Sequence, residues 1–249
     1  MPRFFDRLFR GHQSKRRPTT DAGQVAHGGG LDGDDDFSWA IPPTTLVDPA
    51  PWDQYWRDQL SHGVADFVHL FCDDGELVDA MRLNGLKTVL CVGNGISQEP
   101  RALAWAGFDV TALDLSPFAA EVARESAPPD EFLARLVGGR EGGGNGRVQF
   151  VVGDLCDAAC CPGPYDVVID RRTLQLYSER DRTIAMRAVA NRLGSPGIFF
   201  SQSHDGSWKP PKPRRHALEA WFRAEGWPIR GPGAALQRRR VAWLFTTTG

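Results

Sequence analysis

The sequence predicts an α/β fold, a doubly wound and mainly parallel seven-stranded sheet with an N-terminal helical cap. Three observations predict it. From Leu86 onward, short apolar runs alternate with helix-like stretches, the pattern of βαβ units in a sheet covered by helices on both faces. One run, KTVLCVG, is apolar almost throughout, as a strand buried on both faces must be, and it feeds a glycine turn at Gly93-Asn94-Gly95. Upstream, between Pro51 and Leu83, apolar residues recur at helical spacing.

The elements follow in order. Trp52, Tyr55, Trp56, Leu60, Val64, Phe67, Val68, Leu77, Val78 and Met81 set the helical period of the cap. Asp73-Asp74-Gly75 offers a break within it, and Asn84-Gly85 stops its second helix because both residue types accept a left-handed backbone. SQEPRALAWAG is a helix with Ser97 as cap, Pro100 in the first turn where no amide bond is lost, and Gly107 at the end. FDVTALD is the second strand and PFAAEVARESA the second helix of the core. The glycine-rich insertion GGREGGGNG leads to VQFVVGD, the third strand, and YDVVID is the fourth. SERDRTIAMRAVANRLG is an amphipathic helix, GIFFSQS the fifth strand, RRHALEAWFRAEG another helix, and VAWLFTT a closing strand.

With 249 residues, 41% hydrophobic and 24% charged, the chain has the composition of a globular protein able to bury its own core. The net charge of −2 is uninformative, but charge is unevenly spread. Arg3, Arg7, Arg10, Lys15, Arg16 and Arg17 face only Asp6 in the first twenty residues, and Asp32, Asp34, Asp35 and Asp36 follow. From Trp208 to Arg240, nine Lys/Arg stand against Glu219 and Glu225, a net +7. Residues 1–50 read as a solvated tail whose PRFFDRLFR segment has a short basic amphipathic pattern. Five cysteines, an odd number, with no secretory leader pattern fit a reduced, cytoplasmic protein. No apolar run approaches the roughly eighteen residues of a spanning helix, so a soluble chain is expected.

Glycines at a strand-to-helix turn let a ligand approach the backbone, although tight turns without ligands use them too. Asp114, nineteen residues after Gly95, ends the second strand where a carboxylate can accept both hydroxyls of a ribose. Turn and acid together point to a nucleoside. A dinucleotide site wants a third glycine where this chain has Gln98, followed by Glu99, and a carboxylate there would repel a pyrophosphate. A ligand with cationic groups and no phosphate suits the acids better.

VLCVGNGISQEP, VTALDLSP, VQFVVGDL and YDVVIDRRTL, in this order and spacing, resemble the successive motifs of class I S-adenosylmethionine-dependent methyltransferases, with their Rossmann-like fold. The resemblance covers about Leu86 to Ser203. It implies S-adenosyl-L-methionine as cofactor, with Gly93, Asn94 and Gly95 along its amino-acid part and Asp114 and Leu115 at the ribose. It further implies Asp154 and Leu155 at the adenine and Asp170 facing the methyl-transfer centre. The chain departs from the pattern at Cys91, where an acid is usual, and at Ser97, where a glycine is frequent; Glu99 is a candidate replacement acid. PWDQYWRDQ is similar to the Trp-containing N-terminal helix that lids the cofactor in thiopurine-methyltransferase-like enzymes. The expected division is a tail over 1–50 and a methyltransferase domain over 51–249. Within the domain lie a helical cap (51–84), a cofactor-binding core (85–205), and a C-terminal helix with the last strands (206–249).

Methyl transfer is an in-line displacement that needs alignment of the acceptor and, where the acceptor carries a proton, a base. Asp170 and His204 are the catalytic candidates; Arg171, Arg172, Tyr177 and Asp205 share the strand ends with them. Arg171-Arg172 suits an anionic substrate as well as it suits pairing with acids nearby. Cys156, Cys160 and Cys161 fit no standard zinc spacing, so no metal is expected. KPPKPRRH lacks a recognised nucleic-acid motif, and a small molecule or a protein side chain is the expected acceptor. Two rival readings are an NAD-dependent oxidoreductase and a non-catalytic cofactor-binding module.

Overall fold

The computed structural model describes residues 48–61, 75–139, 142, 144–203, 222–227 and 241–247. Seven strands, β1 (Thr88–Val92), β2 (Asp109–Asp114), β3 (Val148–Val152), β4 (Tyr165–Arg171), β5 (Leu193–Ser203), β6 (Phe222–Trp227) and β7 (Val241–Thr247), form one sheet in the order β3-β2-β1-β4-β5-β7-β6. β1 pairs in parallel with β2 and β4, β2 with β3, and β4 with β5. β7 runs antiparallel between β5 and β6. Strand order therefore reverses between β1 and β4, and the crevice outside the carboxyl ends of strands at such a switch point is where open α/β sheets hold ligands.

The described helices are α1 (Ala50–Ser61), α2 (Gly75–Leu83), α3 (Glu99–Trp105), α4 (Pro117–Glu125), α5 (Asp130–Leu136) and α6 (Glu179–Ala190). The β1 pleat sends Leu90 and Val92 to one face, where they join Leu113, Val168 and Phe199 against Ala185, Met186 and Val189 of α6. Val89 and Cys91 face the other way and are equally buried. A strand covered on both sides has no room for polar alternation, which is why KTVLCVG is apolar almost throughout.

The local signals act largely as the sequence suggests. Gly85 takes φ +67, its amide bonds Arg82 O at 3.0 Å and the Leu86 amide bonds Met81 O at 3.0 Å, closing α2. Ser116 caps α4 by accepting the Ala119 amide at 3.0 Å. Ser97 acts one residue earlier than a helix cap: its Oγ accepts the Glu99 amide at 3.1 Å, and Gln98 holds the cap position without a side-chain bond.

Two elements differ from the expectation. DEFLARL forms α5, which the periodicity had left unassigned. FRAEG, read as the end of a helix, lies in strand β6 (FRAEGW), which pairs with β7 from Phe222↔Thr247 to Trp227↔Ala242. Its local composition allows a helix; the antiparallel ladder with a strand fifteen or more residues away decides otherwise. The tail of residues 1–47, the Asp73-Asp74 break, Cys72, His204-Asp205 and KPPKPRRH lie outside the described residues.

Candidate functional site

The site grows from the end of β1. Gly93 and Gly95 adopt φ 59 and 54, a backbone region that only glycine enters without strain. Space is as restrictive as torsion. A Cβ on Gly93 would run into the Thr173 side chain, and one on Gly95 into the Trp56 indole. Asn94 ties the turn together, with its Nδ2 donating to Gly95 O and Ser97 O at 3.2 Å and its amide donating to Leu113 O at 3.2 Å.

Asp114 ends β2 directly beside this turn. Its Oδ2 accepts the Gly95 amide at 2.6 Å and its Oδ1 the Ser116 amide at 2.8 Å. Burial pushes its pKa up to about 6 against the pull of these amides, and the nearby charge of Asp53 adds to the rise. Leu115 follows, half-buried. The Gly153 amide bonds Asp114 O at 2.9 Å and so brings the end of β3 alongside. There Asp154 is half-buried, with Oδ1 accepting the Cys156 amide at 2.8 Å, and Leu155 is buried. The turn residues and Asp114, Leu115, Asp154 and Leu155 thus stand along the carboxyl edges of three adjacent strands.

Asp170 stands at the end of β4, where the sequence puts it. It is 1% exposed, and its carboxylate is occupied by three donors: the Thr173 amide at 2.8 Å, the Leu174 amide at 3.2 Å and the Ser201 hydroxyl at 2.7 Å. Burial raises its pKa to about 6 despite these bonds. Through these bonds Asp170 holds Thr173 and the short turn Leu174–Leu176. Thr173 Oγ1 in turn donates toward Val92 O and Gly93 O at 3.2 and 3.3 Å, which locks the β4 turn onto the glycine turn.

Glu99 is likewise not a loose acid. Arg171 grips it through Nη2–Oε1 at 2.6 Å and Nε contacts at 3.0 and 3.1 Å, and Arg171 Nη1 donates to Gln202 Oε1 at 2.6 Å. Both side chains are 8% exposed. The charge of Glu99 is therefore cancelled locally, and its repulsion of a phosphate, argued from the sequence, does not apply in that form. Beside this pair Cys91 is fully enclosed; burial first, then Glu99, drives its thiol well above the usual range, so it stands neutral where an acid is usual. The acids that do shape the site are Asp114 and Asp154.

Helix α1 closes the site from above. Asp53 Oδ1 accepts the Ser116 hydroxyl at 2.5 Å and the Phe118 amide at 3.1 Å, adding a second acceptor at the start of α4. Arg57 lies 3.9 Å over the Phe118 ring, and Trp56 rests on Gly95. Sequence reasoning had no signal for the role of Asp53, because its partners lie more than sixty residues away. Thr173, Ser201 and Gln202 were missed too, because their partners Val92, Gly93, Asp170 and Arg171 stand on or beside other strands, far off along the chain. Among the described residues no group of three or more His, Cys, Asp or Glu side chains could hold a metal ion, and Cys91, Cys156, Cys160 and Cys161 are free thiols.

Glycine turn, buried strand-end carboxylate and a second acid one strand further stand together at the carboxyl edge of a doubly wound α/β sheet, the arrangement that suits a nucleoside. Residues 90–201 match the family described as a methyltransferase domain. That match, over a little less than half of the chain, agrees with a class I S-adenosylmethionine-dependent methyltransferase domain and with S-adenosylmethionine as its cofactor. A curated relative, magnesium-protoporphyrin O-methyltransferase of Rhodobacter capsulatus, is 29% identical over 111 residues. The match spans 45% of this chain and less than half, 43%, of that protein. A TehB-like S-adenosylmethionine-dependent methyltransferase of Corynebacterium glutamicum has TM-score 0.51 at 18% identity, over 80% of this chain and 98% of the other. A chain in the complex of a methyltransferase activator with the putative methyltransferase of Haloferax volcanii has TM-score 0.53 at 17% identity, over 79% and 97%. At these identities the structural likeness is one of fold.

The residues fit that cofactor on their own chemistry. A buried carboxylate accepts the two hydroxyls of a ribose, and acidic strand ends favour a sulfonium and an ammonium. Gly93 and Gly95 add no side-chain bulk at the turn.

Proposed function

We propose that the chain transfers a methyl group from S-adenosylmethionine to a small molecule or a protein side chain, working in the cytoplasm. The observation that carries this reading is the row of Gly93–Gly95, Asp114 and Asp154 along the edges of β1, β2 and β3. In this proposal the glycine turn with Asn94 receives the amino-acid part, Asp114 and Leu115 the ribose, and Asp154 and Leu155 the adenine. When bound, the cofactor supplies an electrophilic methyl group.

The chain's own contribution is alignment and exclusion of water. Asp170 is a positioning residue: by fastening Thr173, Leu174 and Ser201 it keeps the β4 and β5 ends in register with the glycine turn. Trp56, above Gly95, shields the same turn from solvent. His204, the residue after β5, is proposed as the group that takes a proton from the acceptor, since the carboxylates of Asp114 and Asp170 are engaged by backbone and hydroxyl donors. Free thiols at Cys91, Cys156, Cys160 and Cys161 suit a reducing compartment.

Calorimetry with S-adenosylhomocysteine and with NAD tests the reading. Binding of the first and none of the second is expected, and tight NAD binding overturns it. Incubation with methyl-labelled S-adenosylmethionine and a cell lysate then separates an enzyme from a binding module, because a module binds the cofactor and labels nothing.

A further inference from the structure

The loop between β3 and β4 carries thiols that methyl transfer does not use. Cys160 and Cys161 are neighbours in the chain, both half-buried and both free, with their Sγ atoms 3.9 Å apart. Residues 157–159 and 162–164 on either side are exposed, so the loop lies open to small solutes. Arg192, 2% exposed, fastens the pair to α6. Its Nη2 donates to Cys160 O at 2.7 Å, its Nε to Cys161 O at 3.0 Å and its Nη1 to Ala188 O at 2.9 Å. With both carbonyls fixed, Cys161 is kept at φ 51, a left-handed conformation that a non-glycine residue holds only where its surroundings enforce it.

The pair is also tied to the proposed adenine end of the cofactor site. Cys160 Sγ packs on Gly153, where a Cβ would run into it. The Gly153 amide bonds Asp114 O at 2.9 Å, and Asp154 is the next residue. From there a run of turns leads back to the thiols. Asp154 Oδ1 accepts the Cys156 amide at 2.8 Å, Asp154 O the Asp157 amide at 3.1 Å, and Asp157 O the Cys160 amide at 3.1 Å.

A disulfide brings its sulfurs to about 2.05 Å, so joining Cys160 to Cys161 draws them together by about 2 Å and takes Cys160 Sγ off Gly153. Adjacent Cα atoms are only about 3.8 Å apart, short of the roughly 4.4–6.8 Å of a relaxed bridge. A bond made under that strain is easily reduced, so it closes in the presence of an oxidant and reopens in a reducing compartment.

We propose that Cys160 and Cys161 form a hydroperoxide-sensitive dithiol whose closure to a disulfide displaces Gly153-Asp154 and weakens cofactor binding; the effect on the cofactor rests on the methyl-transfer reading above. Burial first, and then Cys160, pushes the Cys161 thiol up to about 11 against the pull of Arg192, so Cys160 is the thiol that meets the oxidant. Its thiolate attacks the terminal peroxide oxygen, the O–O bond breaks, and the departing oxygen takes up the proton that Cys160 released. Cys160 is left as a sulfenic acid. The Cys161 sulfur then displaces the sulfenic hydroxyl, which leaves as water with the Cys161 proton. The dithiol loses two electrons and two protons, and the hydroperoxide gains them.

The test treats the wild-type protein with hydrogen peroxide, alkylates the remaining thiols and maps them by mass spectrometry. Cys160 and Cys161 should escape alkylation with the loss of two hydrogens, Cys156 should be alkylated, and dithiothreitol should return both thiols. In calorimetry, S-adenosylhomocysteine affinity should fall about fivefold or more on oxidation and recover on reduction. Cys160→Ser/Cys161→Ser retains Cys72, Cys91 and Cys156, and its affinity should stay within about twofold of reduced wild type before and after peroxide. Cys160 and Cys161 that still alkylate after peroxide overturn the proposal, and so does a bridge to Cys156 or between two chains. A Cys160–Cys161 disulfide that leaves affinity unchanged overturns it, as does a serine variant that loses affinity to peroxide as wild type does. Should the serine variant fail to fold, the thiol map and the affinities of wild type decide. Reduced wild type that binds no S-adenosylhomocysteine fails the methyl-transfer reading before any oxidant is added.

Discussion

Arg171 and Glu99 meet at 2.6 Å beneath the glycine turn, each 8% exposed, and join the end of β4 to the first turn of α3. A buried pair of this kind adds little net stability over apolar residues, but removing one partner strands the other charge. Glu99→Gln should therefore cost about 3–5 kcal/mol. The double variant Glu99→Gln/Arg171→Met should cost clearly less than the sum of the two single changes, with a coupling of at least about 1 kcal/mol. Denaturant unfolding of the four proteins measures the cycle, and additive losses would mean the pair is not coupled.

Asp53 fastens α1 over the site through the Ser116 hydroxyl and the Phe118 amide. Asp53→Ala removes a helix-end acceptor and should lower stability by about 1–2 kcal/mol. Because α1 also places Trp56 on Gly95, S-adenosylhomocysteine should bind more weakly to the variant in calorimetry. Unchanged affinity would separate the helix from the cofactor site.

Asp114→Ala should weaken S-adenosylhomocysteine binding by about 1–3 kcal/mol, the cost of leaving ribose hydroxyls unpaired in a buried site. An Asp114→Ala variant that melts normally and binds as wild type would assign the ribose to another acid.

Asp114 and Asp170 are both raised by burial from 3.8 to about 6. The folded chain then holds these protons more tightly than the unfolded chain. Their contribution is complete below about pH 4 and is lost as pH rises through about 6. Melting temperature attributable to them should fall between about pH 4 and 7, and Asp170→Asn should flatten that fall. Cofactor affinity should run the other way, weakening below about pH 6 as Asp114 loses its acceptor character. Melting curves and calorimetry across that range check both signs.

Arg172→Gly should raise stability by roughly 1 kcal/mol by releasing the left-handed strain at φ 71. A loss of stability in thermal unfolding would mean that the arginine's packing outweighs the strain.

The parallel core was legible because buried parallel strands cannot hide their apolar runs and because glycine turns need particular residues. KTVLCVG, FDVTALD and VQFVVGD each contain the strand they suggest, and YDVVID falls one residue, Arg171, short of its own. FRAEGW was not legible, because an edge strand held by one antiparallel partner carries no such run. At the proposed site, type and spacing single out Gly93, Gly95, Asp114 and Asp154, and the fold sets them along one sheet edge. They do not reveal the bonds of Asp170, because spacing puts an acid at a strand end without saying which amides and hydroxyls will fill its lone pairs.

By itself, then, the sequence determines where backbone must turn tightly, which strands must be covered on both faces, and which acids stand at their carboxyl ends, since these follow from residue size, torsion and polarity read locally. Only the tertiary structure decides how the charges are used. It joins Glu99 to Arg171, engages Asp170 in a turn, and brings Asp53 and Trp56 from α1 over the glycine turn. The physical reason is that an ionised side chain takes its character from the groups within a few ångströms, and those groups come from distant parts of the chain.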